Sequence, residues 1–320
     1  MDGLSSDAHI KRTLSMNAKQ MSLLTSLLVM LVVSRTGVKE PICRIAAVSS
    51  PYITTLSAKE LGERSWIEQI APAGLKTSIA MVNAVAPDAM IVLGSLTWSG
   101  SEADLLRAKS FLDRIEVPLY VLPGEKDVTD GEDVFNRVFS GQTVDGKSIN
   151  VKGVHIQFTS LNDSHTGEGH RKILEQMKSG LSAARDARAV LLFGGADIRP
   201  PGNPNATASI QTEYWSLIND YNVAARFTAG HSHTVRYDDR LPIWSIPSSG
   251  WSYTPKWPIA LISVYEKKIE LDLVHEGGQP LQRLVVPNPA NAARMVAASN
   301  DAFGIPTYSE AMSINPQVVR

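Results

Sequence analysis

The chain has 320 residues, 43% of them apolar and 20% charged, which is ordinary globular composition and excludes a fibrous or largely disordered protein. Its 31 basic and 32 acidic residues leave a net charge of -1, so no overall basic excess points to a nucleic-acid partner. The single cysteine, Cys43, excludes an intrachain disulfide and any cysteine-based zinc or iron–sulfur centre within one chain.

The first forty residues stand apart. Lys11, Arg12 and Lys19 precede an apolar run over residues 23–33, which Ser34 and Arg35 end. The run is shorter than the ~20 residues a membrane span needs. A positive flank, a short apolar stretch and a small residue after it describe an export signal, with an uncleaved anchor or a later start at Met16 or Met21 as the other readings. Residues 1–40 are therefore expected to be a leader, with an exported or membrane-associated protein as the consequence. Residues 19–34 are the candidate tether, and a cytoplasmic protein follows if the start lies later.

Apolar runs bounded by turn residues then alternate with helix-spaced segments. Residues 42–48 predict a buried strand that stops at Ser49-Ser50-Pro51. Residues 75–85 predict a helix, and 88–94 a second buried strand. Ser101 opens a helix through 115, with acidic residues in its first turn. Residues 118–122 predict a third strand closed by Pro123-Gly124, and 154–160 a fourth. A helix over 171–184 and a strand over 189–193 follow, the strand ending at Gly194-Gly195. A helix over 210–220 precedes a strand over 224–228 that leads into Gly230-His231-Ser232-His233. Further strands are expected over 243–246, 259–264 and 269–274. Pro200 to Asn205 reads as a loop over one rim. Residues 41–284 form the expected domain, and 285–320 a tail without clear pattern.

This alternation, with strands apolar on both faces, is an α/β pattern with parallel strands, the last strands pairing antiparallel. Ligands of such sheets sit beyond the carboxyl ends of the strands. Those ends carry Ser50 and Tyr52, Gly94-Ser95, Gly124-Glu125-Lys126-Asp127, Gly194-Gly195 and His231 with His233.

In order and spacing these five strand ends resemble the calcineurin-like metallophosphoesterases. Asn83, Pro87-Asp88 and Gly94-Ser95-Leu96-Thr97 are similar to that family's second block, and residues 117–124 to the lead into its third. Leu161-Asn162-Asp163-Ser164, Gly169 and Gln176 resemble the stretch before its fourth, and Tyr221-Asn222-Val223 with Gly230-His231-Ser232-His233 its fifth. The resemblance covers residues 42–275. It implies a two-sheet β-sandwich of mixed strands flanked by helices, with the site at one edge. It also implies two adjacent divalent metals that orient a water and neutralise phosphate charge.

The departures from that pattern decide the functional expectation. Ser50 and Tyr52 stand where the family has Asp and His, and Ser95 replaces the bridging Asp. Glu125-Lys126 replaces Asn-His, and Gly194 or Gly195 falls at the next His. Neutral hydroxyls bind divalent ions poorly, and Lys126 brings positive charge to a cation site. The surviving metal candidates are His231, His233 and Glu125, an incomplete set. No cofactor is the first expectation, and one divalent Mn, Fe or Zn the alternative.

Two function classes follow: a catalytically impaired protein that binds an anion or acts as a scaffold, and a phosphate-ester hydrolase with a rebuilt or single-metal site. In the first, Ser50, Ser95, Lys126, His231 and His233 converge on a small anionic ligand such as a phosphate compound, with Gly194-Gly195 leaving it room. In the second, Lys126 and His231 are the catalytic candidates. The partner is then that anion or an unidentified protein, and no nucleic acid is expected.

Each residue also has a plainer role. Lys126 reads as a solvated loop lysine, Glu125-Lys126-Asp127 as a charged turn, and the two histidines as turn formers. His155, His165 and His170 miss the ligand positions and read as surface or supporting residues. Trp244, Trp251 and Trp257 read as a packed rim or, less simply, as a stacking surface for a ligand ring. No nucleophile elbow and no P-loop is present.

Overall fold

The computed structural model describes residues 39–161, 167–194, 207–229, 235–237, 241–246, 248–249, 259–274 and 280–289. Two six-stranded sheets carry the architecture. The first is built from β1 (Cys43–Ser49), β2 (Ala89–Leu93), β3 (Leu119–Leu122), β10 (Ile259–Val264), β11 (Lys268–Val274) and β12 (Pro280–Pro287), in the order β12-β11-β10-β1-β2-β3. The second is built from β4 (Ser148–Val151), β5 (Val154–Thr159), β6 (Ala189–Gly194), β7 (Val223–Ala229), β8 (Val235–Tyr237) and β9 (Pro242–Ile246), in the order β4-β5-β6-β7-β9-β8.

The helix-linked strands pair in parallel, β1 with β2, β2 with β3, β5 with β6 and β6 with β7, as does β7 with β9. The strands that follow in quick succession, β10 to β12, pair antiparallel. A crossover long enough to hold a helix permits parallel pairing, whereas a short connection turns the chain back on itself.

The inner faces of the sheets pack on each other. Ile45 and Ala47 of β1 and Ile91 and Leu93 of β2 meet Ile156, Phe158, Leu191 and Phe193. Phe158, Phe193, Phe227 and Trp244 are register partners on four adjacent strands, with ring centroids 5.8, 4.5 and 5.0 Å apart. Side chains on alternate residues of one face make such a ladder a consequence of strand geometry. Trp244 is thus a core residue, 1% exposed, and not part of a rim. Trp251 and Trp257 lie outside the described residues.

The outer faces are covered by helices. Ala46, Val48, Met90 and Val92 pack under α2 (Ile67–Val85), α3 (Glu102–Leu112) and α4 (Glu132–Val138), with the short α1 (Ala58–Leu61) before them. Val190 and Leu192 pack under α5 (Gly167–Leu181) and α6 (Ala208–Asp220). Strands covered on both sides explain why their sequences are continuous apolar runs. Ser101 caps α3, accepting from the Asp104 amide at 3.3 Å. α2 starts well before residue 75, where the apolar spacing begins, and contains Pro72. Among the described residues, no helix is long and apolar enough to cross a membrane. The leader, residues 19–34 and the Pro200–Asn205 loop fall outside the described residues.

His155 and His170 are not surface residues. They are 3% and 0% exposed, because α5 closes over the outer face of β5. His165 is outside the described residues.

Candidate functional site

The site is built where β1, β2 and β3 end side by side. β1 stops at Ser49, and Ser50 and Tyr52 follow with φ of 44° and 54°. L-residues reach this left-handed region at a cost of roughly 1–2 kcal/mol each, so the turn is held by its surroundings. The Ser50 amide donates to Leu93 O at 2.9 Å, the Tyr52 amide to Ser95 O at 3.3 Å and the Ile53 amide to Leu96 O at 2.9 Å. The second sheet closes in from the other side. Ser49 Oγ donates to Ile246 O at 2.8 Å, Ser248 Oγ to Ser50 O at 2.8 Å and the Ser249 amide to Ser49 O at 2.9 Å.

The β2 and β3 ends are tied by Asp127. Its Oδ2 accepts from the Leu96 and Gly124 amides, and its Oδ1 from the Thr97 amide and hydroxyl, all at 2.8 Å. The residue is fully buried. Burial pushes its carboxyl up, and the amides of Leu96, Gly124 and Thr97 oppose that shift. This contradicts the reading of residues 125–127 as a charged solvated turn: Glu125 is exposed, but Asp127 is the keystone beneath it. An acidic residue three positions after a strand-ending glycine was the available signal, since that spacing returns a carboxylate to the glycine amide.

Lys126 is not a freely solvated loop lysine either. It is half-buried, with Nζ 3.5 Å from the ring centroid of Trp98 and 5.7 Å from that of Tyr52. The two rings meet edge-on, with centroids 5.8 Å apart. Arg64 Cζ lies 4.9 Å from the same Trp98 centroid. Burial lowers the Lys126 pKa, and the Arg64 charge lowers it further. Burial likewise pushes the Tyr52 phenol up, against a hydrogen bond from Ser50. Trp98 and Arg64 carried no sequence signal, because only the tertiary fold brings them to the strand ends.

Of the candidate residues, Ser50, Ser95, Glu125 and Lys126 lie on this edge. Ser50 is 4% exposed, and its hydroxyl reaches Gly94 O at 3.4 Å. Ser95 is half-buried, and the Gly94–Ser95 peptide is cis. His231 and His233 are outside the described residues, as is Gly195. Gly194 leaves no room for a ligand: a Cβ there would meet Thr159 Oγ1 at 1.9 Å, so Thr159 already fills that space.

A pair of divalent cations does not fit the described strand ends. Ser50 and Ser95 offer only neutral hydroxyls, the Lys126 ammonium stands on the same edge, and the buried carboxylate of Asp127 is saturated by four donors from Leu96, Thr97 and Gly124. Among the described residues, no three His, Cys, Asp or Glu side chains are grouped to hold an ion.

Neither a protein-family model nor a curated protein matches the sequence. Solved structures do match in shape. A dimetal phosphatase from Danio rerio aligns with a TM-score of 0.60 and 11% identity over 78% of this chain and 100% of that one. The chain has the calcineurin-like metallophosphoesterase fold. GAP50, the anchor in the inner membrane complex of Plasmodium, aligns with a TM-score of 0.52 and 13% identity over 77% of this chain and 89% of that one. At the edge where its own β1, β2 and β3 end, this chain presents Ser50, Tyr52, Ser95 and Lys126.

Proposed function

We propose that this phosphoesterase-fold protein is impaired in hydrolysis and uses its strand-end site to bind a small anion, or as a scaffold surface. The observation that carries this reading is the Lys126 ammonium, seated 3.5 Å from the Trp98 ring centroid on the edge where the fold's chemistry requires cations. A fixed positive charge there repels a divalent ion and attracts an anion. The neutral hydroxyls of Ser50 and Ser95 fit the same reading, since they donate to anions but do not neutralise metals. The fold itself admits both outcomes, as its occurrence in a phosphatase and in an anchor protein illustrates.

The test is turnover of a generic phosphodiester by the full-length protein, with and without added Mn, Fe or Zn. The expected result is no rate above the blank in either case. Metal-stimulated turnover that His231→Ala or His233→Ala abolishes would overturn the reading in favour of a rebuilt hydrolase site.

A further inference from the structure

We propose that Trp98 is the positioning residue of the strand-end anion site, its indole face holding the Lys126 ammonium in place for a ligand. The inference deepens the anion-binding reading of Lys126 and rests on it.

The contact is direct. Lys126 Nζ lies 3.5 Å from the Trp98 ring centroid, and Trp98 and Lys126 are both half-buried. A cation within about 6 Å of an indole face is attracted by the negative face of the ring. The ring engages the charge of the ammonium without supplying a lone-pair acceptor for each of its three N–H groups. Among the described residues, no side-chain or backbone acceptor holds Nζ: Asp127 turns both oxygens to Leu96, Thr97 and Gly124, and Glu125 is exposed.

The two segments that carry ring and ammonium are fitted to each other on either side of this contact. Thr97, one residue before Trp98, donates its amide and hydroxyl to Asp127, one residue after Lys126, both at 2.8 Å. Gly100, two residues after Trp98, packs on the Lys126 carbonyl, where a Cβ would stand 1.9 Å from the oxygen, and its φ of 74° suits glycine. The Trp98 amide donates to Ile53 O at 3.0 Å, and the Tyr52 ring meets the indole edge-on with centroids 5.8 Å apart. The indole is thus held in its own right, and the lysine rests on it.

A free lysine side chain gives up much rotamer freedom when a ligand fixes it, and one already seated gives up less. The plainer role for Trp98 is packing. Packing asks for apolar volume, which leucine supplies, whereas seating a cation asks for a ring face, which phenylalanine supplies more weakly than tryptophan.

Calorimetry and tryptophan emission of the full-length protein, titrated with inorganic phosphate at low ionic strength, test the inference. Phosphate should bind the wild type with a Kd of about 1 mM or tighter. Trp98→Leu should weaken it about tenfold and Trp98→Phe only about twofold. Indole emission responds to a charge this close, so phosphate should change the wild-type emission with the calorimetric Kd, and the change should vanish in Trp98→Phe and in Lys126→Met. The emission arm stands even where Trp98→Leu lowers the melting temperature. If Trp98→Leu binds phosphate as the wild type does while Lys126→Met does not, the positioning role is overturned and the anion site at Lys126 stands. Wild-type emission that saturating phosphate leaves unchanged overturns it in the same way. If the wild type gives no heat at about 10 mM phosphate, the positioning role and the anion reading fall together.

Discussion

Asp127 Oδ1 accepts from both the amide and the hydroxyl of Thr97 at 2.8 Å, and through that pair the turn after β3 holds the turn after β2. Its other oxygen takes the Leu96 and Gly124 amides. Asp127→Ala strands these buried donors, and an unsatisfied buried group costs about 1–3 kcal/mol. Denaturant unfolding should therefore show a loss of about 3 kcal/mol or more for Asp127→Ala. A change under about 0.5 kcal/mol would mean that water replaces the carboxylate without strain.

In the same knot Gly94 packs against the backbone of Gly124. A Cβ on Gly94 would stand 2.0 Å from the Gly124 nitrogen and 2.5 Å from Asp127 Oδ2. Backbone cannot yield as a flexible side chain does. Gly94→Ala should lower stability by about 2–4 kcal/mol and should also displace Lys126, two residues beyond Gly124. Denaturant unfolding together with phosphate calorimetry reads both effects in one variant.

Metal content is the direct check on the strand-end chemistry. With only neutral hydroxyls at Ser50 and Ser95 and with Lys126 opposing a cation, the protein purified and dialysed should retain less than about one equivalent of Mn, Fe or Zn per chain. Elemental analysis giving two equivalents would show that His231, His233 and Glu125 hold metal together with further partners.

The parallel strands were legible in the sequence because each is covered on both faces and so reads as an unbroken apolar run. Ile45 to Val48 and Ala189 to Phe193 are examples. β4, β8 and β12 were missed for the converse reason. Ser148–Val151 is only partly buried, Val235–Tyr237 is very short, and Pro280–Pro287 interleaves Gln282 and Arg283 with its apolar residues. At the site, the strand-end positions of Ser50, Ser95 and Lys126 could be read from where each strand stops. The cage on Trp98 could not, because it joins Tyr52, Arg64, Trp98 and Lys126 through tertiary contact alone. Nor could the burial of His155, whose position opposite the core face of β5 becomes enclosed only when α5 packs there.

For the amino-terminal segment we propose the export or tethering role that its composition suggests. A reporter fused after residue 40 should leave the cytoplasm or collect at a membrane, and the same fusion beginning at Pro41 should stay inside. Fractionation that finds both fusions in the cytoplasm would remove this role.

His155 gives a pH dependence whose sign can be worked out. Its side chain is 3% exposed on the outer face of β5, and among the described residues nothing hydrogen-bonds its Nε2. Burial pushes its pKa below the ordinary imidazole value of 6.5, so the folded protein holds it neutral. The unfolded chain keeps the ordinary value and binds the proton first as pH falls. The unfolded state therefore gains protons that the folded state refuses, and stability declines below about pH 6.5, being complete above it. Replacing the ring removes this term: His155→Leu keeps an apolar side chain under α5 and has nothing to titrate. Melting temperatures measured from about pH 7.5 down to about pH 5 should fall more steeply for the wild type than for His155→Leu, with the two curves separating below about pH 6.5. Parallel curves would mean that the buried imidazole accepts its proton in the folded state, through a water or a partner that reaches Nε2 from the segments around α5.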